Sequence, residues 1–388
     1  MYKQKPRTLK LVVTGGHLTP ALATINAILR LKPEAKVFFF GRKNSREGDT
    51  ASSAEFDVIS NLGIPFIQII TGRLQRKFTR YTLPSLAKIP IGVVQCLRNL
   101  IQIRPDIIVS FGGYVAVPVA LAGWILRIPI VTHEQTLTIG LANKIISLVS
   151  NVVATTYNAN GETRHASKTV VTGNPTIKHK HEQITNNPLH GKLNSRLPTI
   201  LITGGNQGSH AINSVVFESI DKLLTIANVI HQTGNSEVTM DYDTGLHIKQ
   251  TLPIEQSHRY MIYDYINPNL MGMFYDKAEL VISRAGANTI TELLVYGKKA
   301  VLIPLNNEQR TNAKHYTQFN LGTIIDQENL ATETLIAIVK QWLETKPPQR
   351  DISRALSTVG KNKDAANTLA KLILKTTKTS FTLEKTNN

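Results

Sequence analysis

Residues 281–305 read VISRAGANTITELLVYGKKAVLIPL, and the fold turns on how this stretch is parsed. An apolar run with strand character ends at Ser283 and Arg284. A small-residue turn follows at Ala285, Gly286 and Ala287, and then a helical pattern carries Glu292 one turn in. A second apolar strand, from Lys299 to Leu305, begins just past Gly297. Strand, tight turn, helix and strand in about 25 residues is the βαβ unit of a parallel sheet. Gly, Asn and Thr at a helix start leave backbone N–H groups open, and the lone carboxylate just inside can accept hydrogen bonds. Such a turn suits a ligand bearing both phosphates and hydroxyls.

Outward from this unit the same alternation continues in both directions, giving an α/β fold class. In the first half strands are expected at Lys10–Val13, Lys36–Phe40, Phe66–Ile70, Ile107–Ser110, Ile130–Thr132 and Val152–Ala154. A second series is expected at Thr199–Thr203, Val229–Gln232, Tyr260–Tyr263, Leu280–Ser283, Ala300–Leu305 and Gly322–Ile325. Between them, KHKHEQITNNPLHGKLNSRLP (178–198) has little periodicity and reads as a connection. The expected organisation is an N-terminal domain over 1–178, a linker over 179–198, a C-terminal domain with terminal helices over 199–376, and a flexible tail over 377–388. The halves echo one another, since LVVTGGH and LITGGNQGSH each put a strand before a Gly-Gly turn and a helix. Two doubly wound, Rossmann-like domains facing across a cleft follow, with ligands at the carboxyl ends of the strands.

Composition narrows the partner classes. A length of 388 residues accommodates two cores, and a 42% apolar, 18% charged composition fits a soluble globular chain. A single cysteine, Cys96, excludes a disulfide framework and fits a reducing compartment. No run of about 18 apolar residues occurs, so no membrane-spanning helix is expected. The basic N-terminus precedes an apolar run too short for a signal peptide, which points to the cytoplasm. The net charge of +17 calls for a polyanionic partner. Between Thr71 and Arg104 stand Arg73, Arg76, Lys77, Arg80, Lys88, Arg98 and Arg104 with no Asp or Glu, interleaved with Leu, Ile and Val. Cations among aliphatic residues suit an anionic membrane surface, whereas nucleic-acid surfaces favour aromatic and polar neighbours. A core helix with a solvated basic face is the plainer alternative.

Several turns carry possible chemistry. Gly15-Gly16 and Gly204-Gly205 let backbone amides approach an anion, and the helix behind each adds a partial positive charge. Neither fits the dinucleotide fingerprint, and no phosphate-binding loop of the G-x-x-x-x-G-K-[ST] type occurs. His17, at a helix start, is placed either as a general base for a hydroxyl or as a capping or phosphate contact. THEQT (132–136) follows a strand but lacks the second histidine of a zinc site, so no metal centre is expected there. Gly112-Gly113 again follows a strand, and Asp241-Tyr242-Asp243 reads as a solvated polar turn.

Taken together these stretches resemble the family of the peptidoglycan glycosyltransferase MurG (glycosyltransferase family 28). The resemblance runs from Leu11 to about Asp326 through TGGHLTPALA, SFGGYVAVPVALAGWILRIPIVTHEQTLTIGLANK, VTGNP, LITGGNQGSHAIN and the opening segment with EQRTNAKHY. It implies a GT-B fold and inverting transfer of N-acetylglucosamine from UDP-N-acetylglucosamine to lipid I, forming lipid II at the cytoplasmic membrane face, with no cofactor. By similarity, Ala287, Asn288 and Thr289 would set a helix N-terminus against the donor diphosphate, doing the work of a metal ion in other glycosyltransferases. Glu292 would accept from the ribose, Gln309 would contact the sugar beside Asn312, and the Ile266 backbone would hold the uracil. Thr14, Gly15 and Gly16 match the first cleft loop, His17 the proposed base with Glu134 as runner-up, and Tyr114 and His133 further cleft positions.

The departures lie mostly on the acceptor side. Val12 and Val13 stand where the family usually has Gly-Gly, Thr136 replaces the Asn of H-E-Q-N, Asn206 replaces a Ser, and Ile177 stands where an Arg is expected. Another lipid-linked or polyprenyl-linked acceptor therefore remains a competing reading. A UDP-N-acetylglucosamine 2-epimerase would share the architecture without needing a membrane face. A basic nucleic-acid-binding module is disfavoured by the paired cleft motifs, so no nucleic-acid partner is expected.

Overall fold

The computed structural model describes residues 8–44, 53–72, 82–157, 166–176, 189, 193–205, 207–360 and 364–386. The chain divides into two compact units, residues 1–176 with 364–388, and residues 177–363.

In the first unit the strands are β1 (Lys10–Thr14), β2 (Lys36–Gly41), β3 (Phe66–Gln68), β4 (Ile107–Ser110), β5 (Ile130–Glu134), β6 (Val152–Thr155) and β7 (Thr169–Val171). They form one parallel sheet in the order β3-β2-β1-β4-β5-β6-β7. The helices are α1 (Leu18–Leu31), α2 (Ala54–Asn61), α3 (Thr82–Ile103), α4 (Ala116–Ile125) and α5 (Leu141–Val149). Strand β1 ends buried from Leu11 through Thr14, which is why its sequence runs apolar without alternating. Register is pinned at its entry, where the Lys10 amide donates to Asp106 Oδ2 at 2.8 Å.

The second unit repeats the plan with β8 (Thr199–Thr203), β9 (Asn228–Gln232), β10 (Tyr260–Tyr263), β11 (Leu280–Ser283), β12 (Lys299–Leu302) and β13 (Gly322–Ile324). These are also parallel, in the order β10-β9-β8-β11-β12-β13. Its helices are α6 (His210–Ile226), α7 (Asp241–Thr251), α8 (Ile254–Arg259), α9 (Pro268–Lys277), α10 (Ala287–Tyr296), α11 (Asn307–Thr317), α12 (Thr332–Glu344) and α13 (Gln349–Gly360). Helix α10 stops at Gly297, whose φ of +59° closes a left-handed cap that costs a glycine little. In each sheet the strand order reverses once, between β1 and β4 and between β8 and β11.

Three expectations at the boundaries are corrected. Leu189 is buried in the core of the second unit, with Leu193 packed against it, and Asn228 ties Asn194 and Leu197 by hydrogen bonds of 3.0 Å. The described end of the expected linker is thus part of the second unit. The last helix, α14 (Ala365–Thr386), belongs to the first unit, not to the C-terminal domain, because it packs along α1. It also continues through most of the stretch expected to be a flexible tail. Strand β7 was not foreseen: it is a three-residue edge strand whose valines are exposed.

Leu369 and Ile373 of α14 are fully buried. We expect Leu369→Ala to cost about 2–4 kcal/mol, read as a lowered urea midpoint for the first unit. An unchanged midpoint would show that α14 contributes nothing to that core.

Candidate active site

At the switch point of the first sheet, β1 leads into Gly15-Gly16-His17 and β4 into Phe111-Gly112-Gly113-Tyr114. Gly16 has φ +127°, and a Cβ on it would lie 2.4 Å from the Gly112 carbonyl, so the two loops touch through glycine. His17 is the N-cap of α1 but makes no side-chain cap bond. Its Nδ1–H instead donates to the Phe111 carbonyl at 3.0 Å, which leaves Nε2 as the acceptor of the neutral ring. Thr14 Oγ1 is fully buried without a hydrogen-bond partner. The loop amides do not stand open to an anion as the sequence suggested. Gly15 N–H donates to Phe40 O at 2.8 Å and Gly16 N–H to Glu55 Oε1 at 3.0 Å.

Glu134 is buried at the end of β5 and accepts four hydrogen bonds. Thr136 N–H (3.0 Å) and its hydroxyl (2.7 Å) reach Oε1, while Gly140 N–H (3.0 Å) and Asn143 Nδ2 (2.9 Å) reach Oε2. Such a carboxylate organises the 135–140 turn and the start of α5 and has little capacity left for a substrate proton. His133 is buried, donates Nε2–H to Gly173 O at 2.8 Å, and has a pKa lowered to about 4 by burial, so it is neutral. It ties β5 to the turn at 173 and offers no face to a ligand. The Arg42 guanidinium stacks 5.0 Å above the Tyr114 ring.

At the switch point of the second sheet, β11 leads through Arg284-Ala285-Gly286 into α10. Gly286, which has no side chain to cap with, is the N-cap of α10, and Ala287, Asn288 and Thr289 form its first turn. Arg284 is buried, donating Nη1 to Ile303 O at 3.1 Å and Nη2 to Gln327 Oε1 at 2.7 Å. Glu292 lies one turn in, half-buried, and accepts from the Tyr275 hydroxyl at 2.9 Å. Burial lifts its carboxyl to about 7, with the Tyr275 bond opposing. Asn312 of α11 donates to Ala285 O at 3.1 Å, fixing the turn from behind. Gln309 accepts from Leu305 N–H through Oε1 at 2.9 Å, which presents its NH₂ as the open end. The Ile266 side chain is buried in the core, so only its backbone could meet a ligand.

The structure brings Thr14, Gly15, Gly16, His17 and Tyr114 together in one unit and Ala287, Asn288, Thr289, Glu292, Gln309 and Asn312 in the other. Asn206, Arg73, Arg76, Lys77 and Arg80 lie outside the described residues, and so does Ile177. Lys88 is half-buried on α3. Asp241 is not in a solvated turn. It opens α7 buried, and accepts from His210 Nδ1 and Asn213 Nδ2 at 2.8 Å each and from Thr239 Oγ1 at 3.1 Å. Glu55 and Tyr275 belong to no motif, and Asn143, inside the quoted GLANK stretch, was not singled out there. Glycine at 15 and 112 is the trace of two of them: a Cβ there would meet Glu55 at 2.0 Å and Asn143 at 2.8 Å.

Two doubly wound units with glycine turns at each switch point define the GT-B class of glycosyltransferase fold. A crystal structure of Acinetobacter baumannii MurG has it, with a TM-score of 0.63 at 24% identity over 95% of this chain and 99% of that one. A UDP-N-acetylglucosamine 2-epimerase from Listeria monocytogenes has it too, with a TM-score of 0.62 at 14% identity over 93% and 94%. Residues 11–155 match the glycosyltransferase family 28 N-terminal domain and residues 199–369 its C-terminal domain. The chain is 31% identical, over 92% of its length and 95% of the relative's, to a Bacillus cytotoxicus UDP-N-acetylglucosamine--N-acetylmuramyl-(pentapeptide) pyrophosphoryl-undecaprenol N-acetylglucosamine transferase. It belongs to glycosyltransferase family 28.

Because Glu292 holds its proton more tightly when folded (about 7) than an ordinary carboxyl does (4.5), its own contribution to stability is full below pH 4.5 and is lost as pH rises through 7. Glu292→Gln should remove that loss, so its unfolding free energy from urea titration, relative to wild type, rises between pH 5 and pH 8 by on the order of 2 kcal/mol. A constant difference across that range would contradict the burial of this carboxyl.

Proposed function

We infer that the chain transfers N-acetylglucosamine from UDP-N-acetylglucosamine, with inversion, to the N-acetylmuramoyl hydroxyl of a pentapeptide carried on undecaprenyl pyrophosphate (lipid I), giving lipid II. The observation that carries this reading is the glycine-started α10 at the carboxyl end of β11, with Glu292 one turn inside it. The N-terminal turn of α10, at Ala287, Asn288 and Thr289, brings the positive end of the helix dipole to the donor diphosphate and stabilises the negative charge that develops as UDP departs. The ribose hydroxyls donate to Glu292, and the Gln309 NH₂ donates to a sugar oxygen. The acceptor oxygen attacks the anomeric carbon as the bond from that carbon to the phosphate oxygen breaks. His17 Nε2 takes the hydroxyl proton, and the Phe111 carbonyl holds the resulting imidazolium through Nδ1–H. With its four donors already in place, Glu134 serves this site as a scaffold.

The acceptor carries a polyprenyl chain, so the enzyme must meet a membrane surface. Among the described residues no helix is long and apolar enough to cross a membrane. The outward stripe of α3 instead carries Ile91, Val94, Arg98 and Ile101, all exposed, continuing from Lys88. Helix α4 packs against both α3 and α5, and it ends in exposed Trp124 and Ile125 beside Arg127. Helix α5 adds Leu141, Lys144 and Leu148 at one-face spacing. Aliphatic and aromatic side chains among cations suit peripheral attachment to an anionic leaflet on the cytoplasmic side.

Purified protein should move labelled N-acetylglucosamine onto lipid I in the presence of EDTA; a folded sample releasing only free N-acetylmannosamine would support the epimerase reading instead. His17→Ala should lower kcat by about 10²–10⁴-fold with the donor KM little changed, whereas Glu292→Ala should mainly raise the donor KM. Donor binding should tighten as pH rises through about 7, since the ionised Glu292 carboxylate is the stronger acceptor for the ribose hydroxyls, and Glu292→Gln should flatten that profile. Vesicles of anionic phospholipid should lose the triple variant Ile91→Asp, Val94→Asp, Ile101→Asp in a sedimentation assay, and retention equal to wild type would exclude this face.

A further inference from the structure

The first glycine loop is occupied by a group that the reaction above does not use. Glu55 stands in the first turn of α2, whose N-cap Ser53 accepts from Phe56 N–H at 3.1 Å. Its carboxylate reaches back across the end of β1. Oε1 accepts from Gly16 N–H at 3.0 Å, and the Arg42 amide also donates to the carboxylate. A Cβ on Gly15 would fall 2.0 Å from Oε1, and one on Gly41 2.8 Å from Oε2. Gly15 does not have positive φ, so its backbone would tolerate alanine. Space for Glu55 is what keeps Gly15 a glycine. Burial raises the Glu55 carboxyl above its ordinary range, against the two amides and the charge of Arg42.

We propose that Glu55 is a positioning residue of the acceptor side: an internal carboxylate seated where a substrate anion would otherwise rest on Gly15-Gly16, fixing the loop that delivers His17. The proposal rests on His17 being the base. Only Gly15, Gly16 and His17 separate β1 from α1, so the imidazole has two anchors. One is its own Nδ1–H on Phe111 O; the other is the Gly16 amide on Glu55. Gly16 at φ +127° has access to many other conformations once that amide is released.

Two sets of variants test this. Glutamine keeps the size of Glu55 but has one oxygen for two backbone donors, so Glu55→Gln should lower kcat about ten- to a hundredfold, as expected for a base displaced by up to an ångström, with the KM for UDP-N-acetylglucosamine unchanged. Gly15→Ala should be damaging while Glu55 is present, and Gly15→Ala combined with Glu55→Ala should be no worse than Glu55→Ala alone. The same cycle is read on melting temperature, so a poorly active variant still decides. A kcat for Glu55→Gln within twofold of wild type, or Gly15→Ala and Glu55→Ala losses that simply multiply, would overturn the proposal. Failure of the wild-type protein to transfer to lipid I would instead sink the reading of the reaction, leaving the melting-temperature cycle to judge the placement of Glu55.

Discussion

Strands β1 and β8 sit inside parallel sheets, paired on both edges and buried on both faces, and each sheet reverses its order beside them. Parallel strands must be joined by crossovers, so every strand that ends at this point is followed by a turn and a fresh helix N-terminus. Each such helix begins with N–H groups that have no partner within it. The reversal sends neighbouring crossovers to opposite faces and leaves these turns uncovered by their own helices. What each unit can bind is therefore set by how each turn disposes of its amides.

The two units dispose of them differently. In the first, β2 and α2 supply the acceptors, through the Phe40 carbonyl and the Glu55 carboxylate. In the second, α10 starts from a glycine N-cap with Arg284 just before it. A hydrogen bond involving a charged group is worth about 1.5–3 kcal/mol net, so the choice of which turn carries its own anion is not a small one. The turn that already holds a carboxylate is suited to neutral sugar hydroxyls, and the helix start that follows an arginine is suited to a diphosphate, which is the division of donor and acceptor sides proposed above.

The strands were legible because fully buried parallel strands are continuous apolar runs, and the twelve expected ones include every centre strand. Strand β7 was not, since Thr169–Val171 is short, half-exposed and at an edge, where nothing forces an apolar pattern. The motif residues His17, Glu292, Gln309 and Asn312 could be read because their meaning is local: a helix start, one turn in, one turn on. Glu55 could not, being 39 residues from the amide it holds and placed there only by the pairing of β1 with β2. Glu134 shows what a local reading omits: Asn143 and Gly140, brought round by α5, donate to its Oε2, contacts that the sequence around THEQT does not announce.

Kinship of fold does not choose the reaction, since an epimerase shares the architecture at a similar level of likeness. The surface of the first unit separates the readings better. Helix α3 buries Cys96 and Leu100 against the sheet, which is the inward face any amphipathic helix needs. Yet its opposite face is also apolar, with Ile91 57% and Ile101 56% exposed, and Trp124 at the end of α4 is 59% exposed. Large apolar side chains exposed on three adjacent helices, with cations among them, make a face that the reaction proposed above would turn towards the bilayer carrying its second substrate. Conversion of a free nucleotide sugar gives that face no such role.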